Sequence, residues 1–231
     1  QSPFHPPEQR AIAHVLRMVQ RAKEGTEKVI AATRQLKTSL MKHFFTYGPV
    51  PYGEADQVPL KETEIGTVPE VWRLTTLGKL CAYSDGTIQT GPFGSQLHKS
   101  DYVDDGVPVV NPTHLLGNQI NHAGVPFITK AKAVELSRHR LRTGDVLFAR
   151  RGEIGRHGFV TQAEDGWHCG TGCFLVRVNH PEIFNAFLPW SFSHRQVVEW
   201  LESNAAGAIM PNLTNTALAR LPVTYPEPHE Q

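Results

Sequence analysis

Between residues 8 and 47 the apolar positions recur in steps of three and four: Ile12, Val15, Val19, Ala22, Thr26, Val29, Thr33, Leu36 and Leu40. Seven of these nine are aliphatic, and the two threonines still offer a methyl group. That rhythm draws one narrow stripe along a helix and does not fit the alternation of a strand. Pro6 and Pro7 stand before the run, where a first helical turn has no use for their missing N–H. Gly48 and Pro49 close it, a residue suited to a left-handed cap followed by one that cannot continue a helix. The pattern therefore predicts a single helix of about 60 Å. A stripe this narrow suits a seam with a second helix better than a broad core face.

Beyond Gly48 the pattern changes. Residues 49–70 are polar, with prolines and glycines, and read as a linker. Residues 71–80 alternate loosely and suggest a first strand. Residues 87–95 form a Gly/Pro loop, in which Gly91 and Gly94 bracket Phe93. Val107 to Val110 reads as a short buried strand ending in the polar turn Asn111, Pro112, Thr113, His114. A hairpin follows: Asp145 to Ala149 as one strand, Arg150 to Gly155 as the turn, and Gly158 to Val160 as the partner. Residues 131–138 and 182–204 read as helical, the latter broken or kinked at Pro189. Cys173 to Val178 is a further strand, residues 207–218 a polar loop with a short helix, and residues 221–225 a last strand. Strands and helices mix without a βαβ repeat, so the expected class is α+β. The division is a spacer helix in 1–48, the linker, a globular domain over 71–225, and at 226–231 the start of a second helix region. That last expectation rests on an echo: residues 2–9 (SPFHPPEQ) return as residues 224–231 (TYPEPHEQ). Together with an opening Gln1, it suggests a piece of a longer chain.

Charge sharpens this picture. Residues 8–47 carry eight Lys/Arg against three acids, while the remainder carries fifteen against nineteen. Within the acidic remainder, residues 130–158 reverse the sign, with eight basic residues against three acidic ones. Specific DNA binding needs cations for phosphates and short polar side chains delivered to base edges by loops. Candidates are Ser95, Gln96 and Lys99 in the Gly91–Lys99 loop, Asn111, Thr113 and His114 in the turn, and Arg150, Arg151, Arg156 and His157 in the hairpin. Residues 208–214 read as structural, with Asn212 an additional polar candidate. Three cysteines, an odd and small number, point to reduced thiols and a cytoplasmic setting. No apolar run approaches membrane-spanning length.

Several motifs occur in a telling order: Pro6 to Gln9 leading the helix, the helix end LMKHFFTYG (40–48), KETEIG (61–66) through Pro69 and Trp72, GPFGS (91–95), and GDVL (144–147) followed by RGEIG (151–155). Together they resemble the specificity subunit of Type I restriction-modification enzymes. The resemblance implies two target-recognition domains, each reading one half of a bipartite site in double-stranded DNA. They are joined by two helices packed as an antiparallel coiled coil, which sets their spacing. It also implies docking of methyltransferase subunits and, through them, of the restriction and translocation subunits. The chain matches one helix and one recognition domain. The seam Ile12, Val15, Val19, Ala22, Val29, Leu36, Leu40 is then expected to meet a second helix of the parent chain or of a homodimer.

A catalytic reading lacks its residues. Asn111-Pro112-Thr113-His114 has only half of the Asn/Asp-Pro-Pro-aromatic tetrad of an amino-methyltransferase, and no P-loop or nuclease core is present. The best metal cluster, His157, His168, Cys169 and Cys173, is a loose zinc pattern, and buried thiols explain it as well. No cofactor or metal is expected, and the chain reads as non-catalytic. The alternatives are a protein-binding scaffold with no direct DNA readout and a zinc enzyme.

Overall fold

The computed structural model describes residues 6–207 and 211–231. The echo at residues 2–5 and the segment 208–210 lie outside them. Two units emerge, the helix up to Phe44 and the chain from Phe45 onward.

The helix spans Pro6–Tyr47, 42 residues without a break, so the two prolines occupy its first turn rather than precede it. Gly48 follows with φ +79°, the left-handed cap expected there. Along the stripe Ile12, Val15, Val19, Val29 and Leu36 are all exposed. The hydroxyls of Thr26 and Thr33 bond back to the carbonyls of Ala22 (3.0 Å) and Val29 (2.8 Å). With its oxygen tied to its own helix, each threonine leaves its methyl group as the outward feature of the stripe.

In the second unit the sequence alternation decides the layers. Val146–Ala149 pairs with both His157–Phe159 and Cys173–Arg177, and Cys173–Arg177 pairs in turn with Thr87–Thr90, every pair antiparallel. The two central strands are apolar at every position from Val146 to Ala149 and from Cys173 to Val176, because both faces of this sheet are covered. Val146, Phe148, Phe174 and Val176 face a helical layer that includes Leu77, Leu188, Phe192, Leu201 and Leu218. Leu147, Ala149, Cys173 and Leu175 face the opposite way, onto Val110, Leu115, Leu141, Val160 and Cys169. That side carries a second four-stranded sheet: His168–Cys169 runs parallel to Val107–Val110, and Phe127–Ile128 and Tyr102–Val103 complete it antiparallel. A long helix followed by a mixed sheet-and-helix domain is the α+β arrangement expected.

Several elements differ from expectation. Residues 49–70 are not an unstructured connector: they hold a 3-10 turn at Tyr52–Gln57 and a hairpin of Leu60–Thr63 with Gly66–Pro69. Ile65 at its tip is 3% exposed and joins the helical-side core. A tip residue gives no periodicity, so its burial is invisible in a polar sequence. The expected strand at 71–80 is a strand only over Arg73–Thr76, after which Thr76 caps the helix Leu77–Cys81, its hydroxyl accepting from the Lys79 N–H at 3.4 Å. The helical run is interrupted at Ser193 and His194, between Leu188–Phe192 and Arg195–Ser203, and not at Pro189. Pro189 sits in the first turn of its helix, where no N–H is required.

The expected arginine hairpin forms, with Val146 opposite Phe159 and Phe148 opposite His157. Its base is fixed by Asp145, whose buried carboxylate accepts from the Arg142 N–H (2.8 Å) and from Arg177 Nε (2.8 Å) and Nη2 (2.6 Å). Burial pushes this carboxyl above its ordinary pKa, against the pull of Arg177. Among the described residues no helix is long and apolar enough to cross a membrane. Ile65→Ala is expected to cost the domain about 2–5 kcal/mol in urea denaturation, against under ~0.5 kcal/mol for a residue in a true linker.

Candidate nucleic-acid interface

Five strand ends meet at the turn Gly170, Thr171, Gly172. Thr87–Thr90 ends there, Cys173–Arg177 begins there and Val146–Ala149 ends there, as the antiparallel registers Thr90 with Phe174 and Ala149 with Cys173 require. From the second sheet, Val107–Val110 and its parallel neighbour His168–Cys169 stop at the same level. Backbone bonds then tie the emerging loops to the turn. The Gly91 N–H donates to Cys173 O, the Arg150 N–H to Gly172 O and the Gly170 N–H to Val110 O, each at 2.8 Å.

The glycines are demanded by closeness. A methyl group on Gly91 would lie 2.0 Å from Gly170 O, and one on Gly170 would lie 2.3 Å from Asn111 Oδ1. Gly172 has φ +88°, a conformation that side chains resist. The fourth partner is the segment around Asn212: Leu213 N–H donates to Arg150 O at 2.9 Å, and Asn212 bridges Arg151. The 91–99 loop, the 111–114 turn, the arginine hairpin and the residues around Asn212 therefore share one end of the domain.

At that end Ser95, Gln96, Lys99, Thr113 and Arg151 are exposed, and Asn111, Arg150 and Arg156 are half-buried. Gln96 folds back, its Oε1 accepting from the Phe93 N–H at 3.1 Å, so its amide nitrogen is the group left to face outward. Buried Nε atoms of Arg150 and Arg156 have no bonding partner among the described residues. Arg156 stands 3.9 Å from Glu153, too long for a hydrogen bond.

Two candidates are corrected. His114 is 7% exposed and accepts the Asn111 N–H on Nδ1 at 2.9 Å, so it builds the turn instead of protruding from it. His157 is 4% exposed, with Nδ1 2.7 Å from Gly155 O and Nε2 2.9 Å from Pro189 O, which leaves neither nitrogen for a phosphate. The excess positive charge of residues 130–158 is also not one open patch. Lys132 pairs with Glu135 (3.0 Å) and Arg142 with Asp85 (2.5 Å), whereas the hairpin arginines stand apart from these.

Nor do the suggested zinc donors assemble. The Cys169 and Cys173 thiols are buried and lean on Gly170 O (3.8 Å) and Val110 O (3.6 Å), and hydrogen bonding with Cys173, together with burial, raises the Cys169 pKa. Among the described residues no group of three or more His, Cys, Asp or Glu is placed to hold a metal. The turn at 170–172 is what sequence reading missed. Its Gly-Thr-Gly is visible between the two cysteines but there counts only as spacing.

No family model matches the chain. In sequence it is 24% identical over 177 residues to the Type I restriction enzyme MjaIX specificity subunit of Methanocaldococcus jannaschii, covering 76% of this chain and 39% of that one. In fold it resembles the Type I restriction-modification S subunit from M. genitalium, with a TM-score of 0.57 at 17% identity over 96% of this chain and 50% of that one. It also resembles the HsdS subunit from Thermoanaerobacter tengcongensis, with a TM-score of 0.52 at 15% identity over 97% of this chain and 46% of that one. A structure described as showing complex assembly and conformational transition of the type I R-M system aligns likewise, with a TM-score of 0.54 at 16% identity. The fold is thus of the class built from one long helix and one mixed domain. More particularly, it is the fold of Type I specificity subunits, of which the chain spans about half the length or less.

The buried histidines make the domain acid-sensitive. Burial lowers the pKa of His114, His157 and His168, and burial with Arg138 and His168 nearby lowers that of His139 to about 4. Unfolding restores values near 6.5, so the unfolded chain takes up more protons below that pH. Stability is therefore full above about pH 6.5 and falls as pH drops towards about 4. Urea midpoints measured across this window should decline, and His139→Phe should make the decline shallower.

Proposed function

We propose that this chain is half of the DNA-specificity subunit of a Type I restriction-modification system, acting in the cytoplasm without catalytic chemistry of its own. Its mixed domain reads one half of a bipartite site in double-stranded DNA. Ser95, Gln96, Lys99, Asn111 and Thr113 are directed at the bases or their flanks, and Arg150, Arg151 and Arg156 at phosphates. The long helix pairs through Ile12, Val15, Val19, Ala22, Val29, Leu36 and Leu40 with a second helix, from the parent chain or a homodimer. The paired rod sets the distance between half-sites and docks methyltransferase subunits, through which the restriction and translocation subunits attach.

The observation that carries this reading is the meeting of three segments with exposed polar side chains, the 91–99 loop, the 111–114 turn and the arginine hairpin, at one end of the domain. Loops on a rigid scaffold are where recognition residues are held most economically. The open aliphatic stripe supports the helix pairing. The likenesses in sequence and fold to specificity subunits support the assignment as a whole.

Mapping methylated bases in the host genome with and without the gene tests the proposal. A bipartite motif that disappears with the gene is expected, whereas an unchanged map sinks the DNA reading and leaves the scaffold alternative. Within an assembled enzyme, Arg151→Ala should weaken DNA binding roughly five- to tenfold at low salt and reduce the salt slope by about one. The melting temperature should stay in place, since this side chain is exposed.

A further inference from the structure

From the hydrogen bond that the Thr171 side chain makes at the turn of residues 170–172 we infer that Thr171 is a positioning residue that sets base discrimination through the 91–99 loop; this rests on the DNA reading above. The loop is anchored at two places. At its far end Leu97 is 5% exposed and belongs to a core with Val109, Ile128 and Leu136, and its N–H donates to Phe93 O at 3.1 Å. At its root the backbone leaves Gly91, and the next carbonyl, that of Pro92, accepts the Thr171 hydroxyl at 2.9 Å. Between these anchors Gly94 has open space around it, and Ser95 and Gln96 are exposed. The direction of those two side chains therefore depends on how firmly Pro92 is held.

The same turn meets the other readers with its glycines alone: Gly170 lies against the Asn111 side chain, and Gly172 O takes the Arg150 N–H. Losing the Thr171 hydroxyl loosens one loop and leaves the other two attached. Thr171 is itself exposed, so its side chain fills no core space. Its effect on selectivity is accordingly separable from its effect on folding.

The experiment uses the full chain assembled with the methyltransferase subunits of its host, and maps methylated sites for the unsubstituted chain, Thr171→Val and Thr171→Ser. Thr171→Val keeps the shape and removes the hydrogen bond. It is expected to relax one or two adjacent positions of one half-site, lowering discrimination there roughly fivefold, while the other positions and the melting temperature hold. Thr171→Ser, which restores the hydroxyl, should restore the motif. A Thr171→Val motif identical at every position overturns the inference. So does a uniform loss of methylation with a lowered melting temperature in both variants, which would make the residue merely structural. If the unsubstituted chain directs no methylation, it is the DNA reading that fails.

Discussion

The domain depends on two adjacent strands being apolar on both faces. Val146–Ala149 and Cys173–Arg177 lie side by side at the centre of their sheet, and the alternation of a strand sends neighbouring residues into different cores. Phe148 and Phe174 face the helices, while Leu147 and Leu175 face the second sheet. Neither layer can shift without uncovering the other face, and a one-residue slip in register would exchange both sets of contacts at once. The buried Asp145 and its half-buried partner Arg177 close one end of this pair, so the other end is where the chain is free to leave the ladder. That free end is where the polar loops emerge.

What could be read from the sequence follows from this geometry. A strand buried on both sides announces itself as an unbroken apolar run, and the hairpin around Arg151 was legible because such a run is followed by Arg, Gly and a return strand. The 42-residue helix was legible because its stripe keeps one period from Ile12 to Leu40. Residues whose burial is set by distant neighbours were not legible. Ile65 sits in a polar stretch and is buried only because a hairpin carries it into the helical core. His114 and His157 look like any surface imidazole in sequence, and only the carbonyls and N–H groups around them reveal structural roles. The turn of residues 170–172 escaped for the same reason, since its partners at Gly91, Asn111 and Arg150 are separated from it by tens of residues.

The helix and the domain put opposite demands on apolar residues. The domain buries them, while the helix leaves Ile12, Val15, Val19, Val29 and Leu36 in the open. A lone helix gains little from propensity beyond its own hydrogen bonds, and most helical stability in proteins comes from packing an apolar face. A stripe of this length without cover is a surface that asks for a second helix. Its threonines, already bonded back to the turn before them, present no unsatisfied hydroxyl to such a neighbour.

Placing the 91–99 loop, the 111–114 turn and the arginine hairpin beyond the last rung of the sheet has a consequence for inheritance. Between Phe93 and Gln96 nothing contributes to either of the large cores, and a methyl group added at Gly94 would meet nothing within 4 Å. Substitutions there can drift, or be grafted from a cousin, without the scaffold registering the change. The architecture thereby separates what must be preserved from what is free to diversify, and a lineage can acquire new tastes while keeping the same body.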